Sequence, residues 1–177
     1  NMKFDVIVGN PPYQLTVGVE KENYAVPLYH SFIEQAKKLN PRFLSMIIPA
    51  RWYAGGRGLD DFRKEMLNDN RIRRIVDFPN ATDCFPGVDI SGGVCYFLWD
   101  RDNRGNCTVE TVKGDDVVSK MERPLLEKNG ETFIRFNEAI SILRKIALKK
   151  EETFDKLVSA QTPFGIVSSF KSYKENE

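Results

Sequence analysis

The chain has 177 residues, 41% hydrophobic and 29% charged, with a formal net charge of +1. That is enough chain for one domain with its own core, and no apolar run reaches the length of a membrane span. The near-neutral balance leaves any nucleic-acid contact to local clusters of Arg and Lys. His30 is the only histidine, and the three cysteines (Cys84, Cys95, Cys107) lack metal-ligand spacing. His30 falls in a predicted helix, where a plain helical residue is the favoured reading, so these features argue against a histidine-based triad and a metal site, and they suit reduced thiols in a cytoplasmic protein.

In chain order, Phe4 to Val8 is nearly all apolar and predicts a strand buried on both faces. Residues 14 to 24 predict a polar loop. Leu28, Phe32, Ile33, Ala36 and Leu39 recur at three- and four-residue steps, which predicts an amphipathic helix over about 25 to 39, stopped by Asn40-Pro41. Phe43 to Ile48 predicts a second apolar strand, ended by Pro49. A glycine-rich loop follows from Ala54 to Gly58, then a helix marked by Leu59, Phe62, Met66 and Leu67. Ile72 to Phe78 predicts a third strand, and its Arg71, Arg73 and Arg74 fit a solvated strand end.

This order of strand, helix, strand, helix, strand predicts an α/β fold, with mainly parallel strands and crossover helices. Strands at Val94 to Trp99 and at 107 to 113, split by turn residues at 102 to 106, predict an antiparallel edge hairpin. From about residue 114 charges thicken and apolar runs shorten. The domain expectation is therefore 1–113, then an α+β extension over 114–177 with a helix at Asn137 to Lys150, carried by Ile140, Leu143 and Ile146. The closing stretch from Ser159 begins like a new strand-and-turn region. Both ends read as abrupt, so a fragment of a larger protein is expected.

The first strand runs into Asn10-Pro11-Pro12-Tyr13. In open α/β sheets ligands bind beyond the carboxyl ends of strands, so this loop stands where a site belongs. Two prolines fix the backbone and remove two N–H donors, leaving carbonyl acceptors. The Asn10 amide oxygen adds another acceptor. Rigid, adjacent acceptors suit an –NH2 group, which has two donors, and Tyr13 offers a face on which a base can stack. Holding both N–H groups favours a more tetrahedral nitrogen, whose lone pair can attack an electrophilic methyl group. Asn-Pro and Pro-Pro are also ordinary turn formers; the position directly after an apolar strand favours the chemical reading.

"FDVIVGNPPYQ" resembles motif IV of the adenine-N6 DNA methyltransferases that use S-adenosylmethionine. "LYHSFIEQAKKLNPRFLSMIIPARWYAGGRGLDDFRKEML" is similar to that family's next helix, strand and helix, and "RIRRIVDFPNATDCFPGVDISGGVCYFLW" to its strand, "-FP-" loop and edge hairpin. The resemblance covers residues 3 to 100 well and the rest loosely. It implies a partial Rossmann-like methyltransferase sheet. It implies roles for Asn10, Pro11, Pro12 and Tyr13 in holding the amine, and for Tyr13 and Phe85 in stacking on a flipped adenine, Phe85 as in gamma-class members. Arg51, Trp52, Tyr53 and Arg57 are candidates for pocket or DNA contact, the two aromatics equally placed to pack beneath the pocket.

The tail "TPFGIVSSF" resembles the start of the target-recognition region in large type II restriction-modification enzymes. Double-stranded DNA is thus the implied partner, with no membrane, and a nuclease in the parent chain is compatible with the resemblance. The family's glycine-rich cofactor loop normally precedes NPPY, and nothing here matches it. S-adenosylmethionine is therefore expected in the intact enzyme, with its binding half outside this chain and the fragment inactive alone. Two alternatives stay open on the loop chemistry: a protein-glutamine or RNA amino-group methyltransferase, and a non-catalytic module that holds a base.

Overall fold

The computed structural model describes residues 3–17, 24–128, 130–149, 151, 157 and 158. The closing stretch with its target-recognition resemblance lies outside them. The chain divides into two compact units, Asn1–Ile140 and Ser141–Glu177.

The first unit is built on a six-stranded sheet in the order β1-β4-β6-β5-β7-β8. Its strands are β1 (Val6–Gly9), β4 (Phe43–Pro49), β5 (Ile72–Phe78), β6 (Val94–Asp100), β7 (Cys107–Lys113) and β8 (Asp116–Arg123). A separate antiparallel pair joins β2 (Gln14–Val17) and β3 (Tyr24–Pro27). Helices α1 (Tyr29–Lys38) and α2 (Asp60–Asn68) lie between strands in sequence, and α3 (Asn137–Lys149) follows the sheet.

Alternation decides which face of a strand is covered. In β4, Leu44, Met46 and Ile48 are buried, while Phe43, Ser45 and Ile47 are half-buried. Tyr29, Ile33 and Ala36 of α1 and Phe62, Met66 and Leu67 of α2 recur at helical spacing and join the same core. Helix α1 ends as expected: Asn40 turns left-handed at φ 52 and Pro41 cannot continue the helix. Of the three residues that carry the α3 pattern, Ile140 is buried and Leu143 and Ile146 are exposed.

Strands β1 and β4 are parallel, β4 and β5 are each antiparallel to β6, and β5 and β7 are parallel. So β1, β4, β5 and β7 all point one way, and their carboxyl ends share one edge of the sheet. The expected α/β class stands, with an antiparallel edge hairpin, but the hairpin is not the expected one. β6 is inserted between β4 and β5, and β7 turns back into β8. Strand directions follow from long-range pairing, which the turn residues at 102 to 106 do not report.

Three further expectations are corrected. Among the described residues β1 stands at the sheet edge and pairs only with β4, and Val6 and Val8 are exposed, so here it is not buried on both faces. The expected polar loop at 14 to 24 instead holds β2 and the first residue of β3, two strands that pair Leu15 with Val26. Helix α1 begins at Tyr29, not near 25, because Ala25 to Pro27 is strand and proline disfavours helix at the residue before it. The change of character at 114 falls at the β7–β8 turn, inside the sheet, and the first compact unit runs on to Ile140.

Candidate active site

β1 delivers the Asn10-Pro11-Pro12-Tyr13 loop to the edge where the parallel strands end. The loop is pinned at its far end, where the Leu28 N–H donates to the Tyr13 carbonyl at 3.1 Å. Pro11 is buried, Tyr13 half-buried, and Asn10 and Pro12 exposed. All four line a cavity of about 700 Å³. Among the described residues no hydrogen bond engages the Asn10 carboxamide, and the residue is exposed. Burial, with Cys84 and Cys95 nearby, pushes the Tyr13 phenol up to about 12. Its ring is therefore a neutral surface at any physiological pH.

Other segments contribute to the wall, β2 and β3 among them. Pro49 and Arg51 come from the end of β4 and its 3-10 turn (Ala50–Tyr53), and Tyr29 comes from the start of α1. Asp89, Ile90 and Ser91 come from the loop between β5 and β6. That loop is held to β4, since the Ala50 N–H donates to the Gly93 carbonyl at 3.0 Å. Gly93 itself has φ +79, and a Cβ there would lie 2.1 Å from the Phe78 carbonyl oxygen. Only glycine fits this close approach.

Arg57 reaches the same cavity from a left-handed turn. Gly55, Gly56, Arg57 and Gly58 all have φ between 50 and 78. Asp60 in the first turn of α2 accepts from the Gly56 N–H at 3.0 Å, and Arg63 donates to the Ala54 carbonyl at 2.9 Å. A Cβ at Gly55 would lie 2.5 Å from Asp60 Oδ1. The glycines thus serve a turn that carries an arginine to the cavity mouth.

Not all predicted site residues meet. Trp52 and Tyr53 are buried in the core, packed against each other at 4.7 Å, so they lie beneath the pocket. Phe85 is half-buried in the β5–β6 loop and is not on the cavity wall; Ile90, five residues later, is. Sequence reasoning missed Tyr29 and the Asp89 to Ser91 segment. Tyr29 sits in the helical pattern, where an aromatic reads as core, and Asp89 to Ser91 read as plain loop.

The described residues contain no group of three or more His, Cys, Asp or Glu side chains that could hold a metal ion. Cys95 is wholly buried, and that burial pushes its thiol up to about 12, which removes it as a nucleophile. No helix among the described residues is long and apolar enough to cross a membrane. At the cavity, the Asn10 amide oxygen and the Pro11 carbonyl offer acceptors beside Arg51, Arg57 and Asp89. These acceptors can hold and polarise a neutral amine on a flat ring.

Comparison with known proteins agrees with this chemistry. Residues 1–85 match the family model of the Eco57I restriction-modification methylases. An adenine-specific methylase of Mycoplasma pneumoniae is 40% identical over 112 residues, covering 62% of this chain and 26% of its own length. A protein of Methanocaldococcus jannaschii, named as a type II restriction enzyme and methyltransferase, is 26% identical over 208 residues, covering 98% of this chain and 16% of its own. The chain thus spans about a quarter or less of the length of these relatives. A chain from a type I restriction-modification complex aligns at 18% identity with a TM-score of 0.47, covering 89% of this chain and 33% of that one. The resemblance read from the NPPY segment is borne out: the chain is similar to adenine methyltransferases of restriction-modification systems.

Proposed function

We propose that, within a longer parent enzyme, this chain carries the amine-holding part of a DNA adenine-N6 methyltransferase of the restriction-modification type. The observation that carries the reading is the placement of Asn10, Pro11 and Tyr13 together on one cavity at the carboxyl end of β1, with the Asn10 carboxamide unengaged.

The Asn10 side-chain oxygen and the Pro11 carbonyl accept the two N–H groups of the adenine amine. The two prolines hold these acceptors in place before substrate arrives, so little reorganisation is needed as positive charge grows on nitrogen. Tyr13 stacks on one face of the base. Ile90 lines the same cavity and is the candidate for the other face, a role the resemblance gave to Phe85, which is not on the wall. S-adenosylmethionine, as the family's methyl donor, supplies the electrophilic methyl group; no residue of this chain is assigned to holding it. Arg51 and Arg57 at the cavity mouth suit backbone phosphates of the extruded strand, a contact that weakens with salt. Extrusion itself costs a few kcal/mol, which those contacts help offset.

Residues 114–177, whose first strand β8 still belongs to the sheet, are read as connector and start of a target-recognition region. The relative whose name joins restriction enzyme and methyltransferase supports a nuclease in the parent chain.

A glutamine side-chain amide also presents two N–H donors, so the rival substrate is a protein. The test is transfer of labelled methyl groups by the intact parent enzyme to duplex DNA and to a glutamine-containing peptide. The proposal expects N6-methyladenine in the duplex, no labelled peptide, and loss of at least about a hundredfold in rate for Asn10→Ala. Methylated peptide with unmodified DNA would overturn it. DNA binding without methyl transfer, weakened by Asn10→Ala, would leave a base-binding module.

A further inference from the structure

Tyr29 has no role in the mechanism above, yet it lines the same cavity. Its ring is fixed in the core, 2% exposed and edge-on to Phe62 at 6.0 Å. Its hydroxyl is buried and meets no hydrogen-bond partner among the described residues, and the Tyr13 hydroxyl on the same cavity is in the same condition. Buried polar groups are normally paired, and an orphan asks for an explanation. A phenylalanine would fill this wall equally well without a hydroxyl to satisfy. Burial raises the Tyr29 ionisation well above the ordinary tyrosine range, so it stays an O–H donor. A ring acceptor brought into the cavity would complete it.

We propose that the Tyr29 hydroxyl reads the base, donating its hydrogen bond to one of the two acceptor nitrogens, N1 or N7, that flank the adenine amino group. This rests on the adenine reading of the site. With Asn10 and Pro11 holding the amine, a neighbouring donor checks that the ring beside it bears an acceptor. Tyr29 is then a specificity-determining contact.

The test compares the intact parent enzyme with its Tyr29→Phe variant on three duplexes carrying adenine, 1-deazaadenine or 7-deazaadenine at the target position. Loss of one neutral hydrogen bond predicts a drop of about three- to tenfold in kcat/KM on adenine. The two enzymes should become equal on whichever analogue lacks the paired nitrogen. The variant's melting temperature should stay unchanged or rise, because the free protein loses an unsatisfied group. No drop on adenine, or an equal drop on all three duplexes, would overturn the proposal. If the unaltered enzyme methylates no adenine duplex, the underlying functional reading fails as well, and that is seen before any variant is compared.

Discussion

Arg135 holds Asp77 through two hydrogen bonds, Nε to Oδ2 at 2.7 Å and the second guanidinium nitrogen to Oδ1 at 2.9 Å. Asp77 lies wholly buried on β5. The same guanidinium lies over the Tyr53 ring at 5.6 Å, and Tyr53 packs on Phe133 at 4.5 Å. The segment after β8 is thereby tied to the turn that carries Arg51 to the cavity. Burial pushes the Asp77 carboxyl up, and the Arg135 bonds only partly offset this. Arg135→Ala would leave a buried, unpaired acid. Stability in urea unfolding should fall by about 3–5 kcal/mol. A change under about 1 kcal/mol would mean the pair does not hold this segment.

Asp69 is shifted in the opposite direction and gives a pH prediction. Burial by itself would raise its carboxyl, but bonds from Arg71, Trp99 and Lys37 outweigh this and hold it well below the usual carboxylate range. The Trp99 indole donates at 2.9 Å and Arg71 Nε at 2.7 Å. A carboxyl depressed in the folded state contributes stability above its unfolded pKa of about 3.9, lost as pH falls through the folded value. Asp69→Asn should lower stability at neutral pH and flatten its acid dependence in denaturation series from pH 7 to 2.

Tyr13 should act through its ring. Tyr13→Phe keeps the stacking face, whereas Tyr13→Ala should cost about 1–3 kcal/mol in binding of the extruded base. Fluorescence of 2-aminopurine at the target position of the duplex measures this in the intact enzyme. Equal binding by the two variants would remove Tyr13 from the base contact.

Gly93→Ala tests the loop that completes the cavity. Its Cβ would also lie 2.6 Å from the Pro79 carbonyl oxygen, in a left-handed conformation that alanine resists. The backbone must shift, so stability should fall by roughly 1–3 kcal/mol. The bond from Ala50 to residue 93 should weaken, with faster hydrogen exchange at the Ala50 amide as the readout.

Local pattern carried much of this protein. The three- and four-residue spacing around Ile33 and Ala36 marks α1, and Asn40-Pro41 marks its end. The apolar runs of β4, β5 and β6 are visible as runs. The NPPY loop offers carbonyl acceptors by residue type, because proline removes donors wherever it sits, and its position directly after an apolar strand marks it as a candidate site. Sequence failed where partners lie far away. Nothing near Val94 says that β6 runs between β4 and β5, and nothing near Val8 says that β1 pairs with β4. Nor does the double aromatic Trp52-Tyr53 show that both rings turn into the core while Arg51 stays at the cavity.

The amino-acid order alone determined most of the sheet strands, the three helices and the rigid set of acceptors that follows the first strand, though not the β2–β3 pair or β8. Those properties depend on dihedral preference and on groups within a few residues of each other. Tertiary structure alone decided the strand order, the arginines and Tyr29 that share the cavity with that loop, and the place of Phe85 off its wall. Those depend on pairing and packing between segments tens of residues apart, and the free energy of such contacts is written in no single stretch of chain.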